Sequence, residues 1–238
     1  MSDTDRSPRR RRRLPSRPDL AALRVAGVDE VGRGCLAGPV YAAAVILDRG
    51  HGLRGLDDSK ALDVARREAL APKIEARAVA WAIGIATREE IDQINILRAS
   101  LLAMSRAVEQ LLPTAEHCLI DGNMLPQLSC PAETLIGGDG LHPAIMAASI
   151  LAKVARDRAM AEYDALYPGY GFATHKGYAT PAHRAALREL GPSPLHRMSF
   201  APCRAADGSG AIVDLFDALD DGEIAFEAGL EPAAGMPA

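Results

Sequence analysis

The chain has 238 residues, 48% of them apolar and 4% aromatic, with a formal net charge of −4. That size suits one well-buried domain with tails, or two small domains, with a core of Ala, Val, Ile and Leu. No run approaches the roughly 18 consecutive apolar residues of a membrane span; Cys35, Cys118, Cys130 and Cys203 lack zinc-type spacing and read as free thiols of a reducing, cytoplasmic compartment.

Residues 1–18 carry seven arginines (Arg6, Arg9 to Arg13, Arg17) among three prolines and almost nothing apolar, which predicts a disordered tail. It lacks the apolar stretch of a secretory signal. A non-specific nucleic-acid tether and a solvated tail without a role both fit it. Residues 24–31 and 39–47 read as strands joined by a Gly-rich turn, an antiparallel hairpin with more than a two-residue loop. The stretch LDDSKAL is a loop, and residues 63–76 are a helix with Asp63 as its cap. AVAWAIGIAT, from residue 78, is a third strand. Two helices follow at 88–95 and 96–112; the second carries a stripe of Leu97, Leu101, Met104 and Val108 and stops at Pro113. Residues 117–122 and 133–140 are short strands, each containing an acid near its end. Pro143 opens a long helix that runs to 168. A Gly- and Tyr-rich loop over 167–183 leads into a helix at 181–190, closed by Gly191 and Pro192. Residues 201–238 carry eight acids against Arg204 alone and read as a solvated extension with one amphipathic helix near 212–219. There is no internal repeat. This order predicts an α/β fold, a mixed sheet with helices packed on it.

Three strand ends stop in acids beside glycine: Asp29-Glu30 before GRG, Asp121 in LIDGN and Asp139 in GGDG. Strand ends are where an α/β sheet displays its chemistry. Adjacent buried carboxylates repel and are costly without a positive partner. Four of them with no Cys or His nearby favour a hard octahedral ion, Mg²⁺ or Mn²⁺. Paired ions about 3.5–4 Å apart can clamp the attacking water and leaving oxygen of a phosphodiester. In a regular strand Asp29 and Glu30 point to opposite faces, so both serve one site only if the strand bends or ends there, which Gly32 and Gly34 permit. A lone strand-end acid usually faces solvent; four such acids argue for a site. GRGCLA also fits the dinucleotide fingerprint G-x-G-x-x-A, but that motif needs a following helix, and here a strand follows. Asp29 and Glu30 would also repel a pyrophosphate.

GVDEVGRG, GPV and AAAVIL within 38–47, DDSKAL, LIDGN, AASILAKVARDR, YPGYGFATHKGY and GPSPLHRMSF together resemble the ribonuclease HII (type 2 ribonuclease H) family, from about residue 24 to 200. The resemblance implies a ribonuclease H-like fold, a mixed five-stranded sheet flanked by helices. It divides the chain into a tail at 1–18, a catalytic domain at 19–200 and an acidic extension at 201–238. It implies an endonuclease, acting as a monomer and away from membranes, that cleaves the RNA strand of RNA–DNA hybrids and nicks 5′ of single ribonucleotides in duplex DNA. Mn²⁺ or Mg²⁺ would activate the attacking water, leaving 3′-hydroxyl and 5′-phosphate ends. Asp29, Glu30, Asp121 and Asp139 would bind metal; Asp157, flanked by Arg156 and Arg158 and four residues after Lys153, competes with Asp139 but looks more like a structural ion pair. Gly32, Arg33 and Gly34 would read the ribonucleotide, whose 2′-OH is both donor and acceptor. Ser59 and Lys60 would contact phosphate, and Tyr178 would pack on the sugar after the ribonucleotide. Tyr163, Tyr167 and Tyr170 read as packing or loop residues, and His175, His183 and His196 as loop or helix-surface histidines rather than proton shuttles. The alternative is a catalytically silent nucleic-acid-binding module on the same fold, disfavoured because all four acids are present. Other nucleases of this fold lack the GRG turn and HKGY loop, and the short tail leaves no room for the extra domain of ribonuclease HIII.

Overall fold

The computed structural model describes residues 20–57 and 59–206; the Arg-rich tail, the expected helix near 212–219 and most of the acidic extension lie outside the described residues. The Gly-rich turn does fold β1 (Val25–Val31) back on β2 (Val40–Leu47) as an antiparallel pair, and β2 pairs antiparallel with β3 (Ala78–Ala86). On the other side of β1, β4 (His117–Asp121) and β5 (Ala132–Leu135) are added in parallel, giving the sheet order β3-β2-β1-β4-β5. The mixed five-stranded sheet is as expected. One strand is shorter than expected: β5 ends at Leu135, because Gly137 takes a left-handed φ of 69° and turns the chain into a 3-10 turn, Gly138–Gly140.

Helices cover both faces of the sheet. On one face Ala26, Val28, Ala42 and Ala44 pack on α2 (Arg88–Ile94) and α3 (Ile96–Glu109). On the other, Ala43 and Val45 meet α1 (Val64–Arg77) and α4 (Pro143–Leu166). A strand buried on both sides has no polar face, which is why VYAAAVIL reads as a continuous apolar run. The small side chains let the layers approach closely. A Cβ on Gly27 would lie 2.3 Å from the Ala144 carbonyl carbon in α4, and one on Gly84 would lie 2.0 Å from the Ala103 carbonyl oxygen in α3. This close approach also rotates α3 relative to the expected stripe: Met104 and Val108 are buried, but Ala99, Ala103 and Ala107 make the tightest face, while Leu97 and Leu101 are only half-buried.

Local chemistry sets the helix ends. The Asp63 side chain accepts from the Arg66 amide, and Thr87 and Glu90 form a reciprocal capping box. The expected loop at 167–183 contains one short helix, α5 (Phe172–His175), before α6 (Pro181–Leu190). Cys203 of α7 (Ala201–Ala206) is buried against Leu36 and Leu187, so α7, which begins directly after the expected boundary at residue 200, packs on the same body.

Candidate active site

The parallel pairing of β1 and β4 sets Gly27 opposite Leu119 and Val28 opposite Ile120, so one step further along brings Asp29 level with Asp121. Asp139 reaches them from the 3-10 turn after β5, where its amide donates to Asp121 Oδ1 at 3.4 Å. Gly138 permits this closure; a Cβ there would lie 2.5 Å from Ile145 Cδ1 and 3.3 Å from Asp121 Oδ1. One carboxylate oxygen from each of Asp29, Asp121 and Asp139 lies within 4.8 Å of the others. Glu30 does not join this trio. Strand alternation turns it away, and Arg33 Nη1 lies 3.4 Å from its Oε1.

The electrostatics are strained in a way that a divalent cation would relieve. Burial pushes the Asp29 carboxyl well above the usual range, Glu30 and Asp121 add repulsion, and hydrogen bonds from Ser149 and the Glu30 amide oppose the shift. Burial also raises Glu30, against the pull of Arg33, and raises Asp121, with further repulsion from Asp139. An all-oxygen, partly buried and mutually repelling donor set is what a hard divalent cation fits.

The neighbouring residues hold this arrangement in place. Lys60 Nζ, at the end of an exposed side chain, sits 3.2 Å from Asp139 Oδ2, at the acids themselves. Ser59 is placed differently from the expected phosphate contact. It is buried, with its Oγ 2.7 Å from Ser149 Oγ, and its carbonyl accepts from Arg67. Its hydroxyl therefore props Ser149, which favours the charged form of Asp29. Asp157 lies outside the trio, ion-paired to Lys153 at 2.6 Å and near Arg67 at 3.9 Å.

The GRG turn and the HKGY loop meet beside these acids. Cys35 and Tyr178 face each other in an isolated β-bridge, and the Leu36 amide donates to the Gly177 carbonyl at 2.9 Å. Gly32 has φ +98°, and a Cβ there would lie 2.3 Å from Arg156 Nε, so only glycine fits. Arg33 and Gly34 are exposed, and their amides make no hydrogen bond among the described residues. Tyr178 is 38% exposed, with Lys153 Nζ 5.6 Å and Arg156 Cζ 5.9 Å from its ring centroid.

The three histidines are buried rather than superficial. The Ser193 amide donates to His196 Nδ1, so His196 Nε2–H donates to His183 Nε2 at 3.1 Å, and His183 Nδ1–H donates to the Tyr178 carbonyl at 2.9 Å. That chain is consistent only with neutral rings, and burial pushes His183 down to about 4 and His196 down to about 3. Ser149, Arg156, Arg197 and this histidine chain escape a reading of the sequence by residue type. Their one signal is position, as polar residues inside otherwise apolar segments, AASIL, AKVAR and SPLHRMSF.

Comparison with known proteins shows the family and the fold. A family model described as Ribonuclease HII matches residues 26–203. A curated Ribonuclease HII of Bordetella avium (strain 197N) is 59% identical over 181 residues, covering 76% of this chain and 90% of that protein. The crystal structure of ribonuclease H2 from Pyrococcus horikoshii OT3 is 26% identical with a TM-score of 0.67, covering 77% of this chain and 96% of the other. The structure of Bst-RNase HIII in complex with Mn²⁺, 20% identical with a TM-score of 0.67 over 79% of this chain and 70% of the other, shares the fold.

Proposed function

The chain belongs to the ribonuclease HII family and is a metal-dependent ribonuclease H endonuclease; from that premise we propose that it hydrolyses the RNA strand of RNA–DNA hybrids and nicks duplex DNA 5′ of single embedded ribonucleotides, leaving 3′-hydroxyl and 5′-phosphate ends. The observation that carries the reading is the convergence of Asp29, Asp121 and Asp139 within 4.8 Å, at the edge of the GRG turn.

In this reading Asp29, Asp121 and Asp139 hold Mn²⁺ or Mg²⁺, with Glu30 contributing from the flank. The bound ion would supply Lewis-acid stabilisation of the phosphate and a water acidic enough to attack at neutral pH. The chain's own residues do the positioning. Ser149 and the Glu30 amide orient Asp29, and the Asp139 amide orients Asp121. Lys60, beside Asp139, brings a cation to a phosphate next to the scissile bond. Ser59 acts through Ser149 rather than by touching the substrate. The unbonded amides of Arg33 and Gly34 are available to the 2′-OH or its phosphate, and the half-open Tyr178 ring offers a flat apolar face to the following deoxyribose.

The test is cleavage of a labelled DNA duplex carrying one ribonucleotide, with Mn²⁺, Mg²⁺ or chelator. A nick 5′ of the ribonucleotide, abolished by chelator, is expected. Cleavage restricted to long hybrids would remove the roles given to Tyr178 and the turn; no cleavage of either by the folded protein would favour a silent binding module.

A further inference from the structure

Two arginines lie fully buried beneath the turn, outside the acid centre. Arg197 donates from Nε to the Gly38 carbonyl at 2.9 Å, from Nη1 to Arg33 at 2.9 Å and from Nη2 to Gly32 at 2.7 Å. Arg156 donates from Nε to Pro39 at 3.1 Å, from Nη2 to Ala37 at 3.1 Å and from Nη1 to Lys176 at 2.8 Å. Neither is within ion-pair distance of a carboxylate among the described residues. A buried charge without a counter-ion is costly, and here six carbonyl oxygens are its compensation. Five belong to residues 32–39; the sixth belongs to Lys176, two residues before Tyr178. Lys176 itself has φ +54°, a left-handed conformation that a lysine adopts only when held.

We propose that Arg156 and Arg197 are positioning residues for ribonucleotide recognition. Arg197 sets the carbonyl edge of the GRG turn, so that the Arg33 and Gly34 amides face outward in one arrangement. Arg156 spans the turn and the Tyr178 loop, and so fixes the distance between the group that reads the ribonucleotide and the group that reads the next sugar. Lysine cannot replace either, because one ammonium on a flexible stem does not bridge three carbonyls fixed in a fork. The inference rests on the proposed function above.

The experiment measures kcat/KM on a single-ribonucleotide duplex and on a long RNA–DNA hybrid for wild type, Arg156→Lys and Arg197→Lys, with thermal unfolding and the shift in Tm on adding Mn²⁺ as controls. Arg197→Lys should lower both substrates together, about tenfold or more, with the Mn²⁺ shift retained. Arg156→Lys should lower the ratio of single-ribonucleotide to hybrid cleavage by about tenfold, and Tyr178→Ala added to it should change that ratio little further. A ratio unchanged in Arg156→Lys, or full activity in either variant, overturns the proposal. If a lysine variant does not fold, amide hydrogen exchange of wild type in chelator decides. Joint protection of Leu36, Gly38 and Tyr178 on binding the single-ribonucleotide duplex supports the coupling, and protection of one loop without the other overturns it. Wild type that cleaves neither substrate refutes the functional reading itself.

Discussion

Asp29 shows how much of this site is made by neighbours rather than by the acid. It is buried at the end of β1 with Glu30 and Asp121 repelling it, and only Ser149 and one backbone amide favour its charged form. A carboxyl whose folded value is raised binds more protons folded than unfolded, so metal-free stability falls as pH rises above the ordinary range of about 4. Asp29→Asn should therefore unfold at a higher temperature than metal-free wild type at pH 7, while cleaving at least about a hundredfold more slowly. Mn²⁺ should raise the Tm of wild type and not of the variant. An Asn variant that is less stable, or equally stabilised by Mn²⁺, would remove Asp29 from the metal centre. Ser149→Ala tests the prop: a weakening of Mn²⁺ affinity by about tenfold or more, read from the metal dependence of Tm, is expected for the loss of a group that orients a ligand.

At the scale of elements, glycines decide how closely the layers pack and so where the acids stand. Gly27 lets α4, which carries Ser149, lie directly on β1, two residues before Asp29. Gly84 does the same for α3 on β3. Gly27→Ala should cost at least about 1–3 kcal/mol in urea unfolding and should also weaken Mn²⁺ binding, since Ser149, which favours the charged form of Asp29, moves with α4. Gly84→Ala should cost as much stability but leave Mn²⁺ binding unchanged, because α3 packs on the sheet face opposite Asp29 and α4. Equal effects of the two substitutions on metal binding would show that the approach of α4 does not position Asp29.

For the molecule as a whole, the histidine chain ties α6 and the segment before α7 to the Tyr178 loop. His183 and His196 are held below the ordinary imidazole value of 6.5, chiefly by burial, and crowding by His183 and the Arg88 guanidinium further disfavours a proton on His196. A histidine depressed in the folded state binds fewer protons folded than unfolded, so stability is lost as pH falls from 6.5 toward about 4 and about 3. The buried acids act in the opposite sense, so the contrast is with a variant. The stability advantage of wild type over His183→Asn in urea should shrink between pH 7 and pH 5. A constant advantage would show that the pair does not titrate with unfolding.

Much of this was legible in the order of residues. The strands, the capped helices and the mixed sheet followed from apolar period and turn chemistry, which act over a few residues. Asp29-Glu30, Asp121 and Asp139 stood out because each lies beside or shortly before a glycine where a strand gives way to a turn. The rest depended on distance in space. Asp139 was expected at a strand end, but a left-handed glycine places it on a 3-10 turn that folds over Asp121. Ser59 reads as a surface loop residue until α4 covers it. The histidines read as superficial until Phe172, Tyr170 and the Ser193 turn enclose them. By itself the sequence determined the elements and the acidic candidates for the site, because both are carried by local pattern and residue type. Only the tertiary structure decided which acids converge, which polar groups are buried as supports, and that Arg156 and Arg197 meet one turn, because these groups come from separate elements, and the arginine contacts to the turn join residues more than a hundred positions apart through the packing of α4 and the 193–200 segment on the sheet.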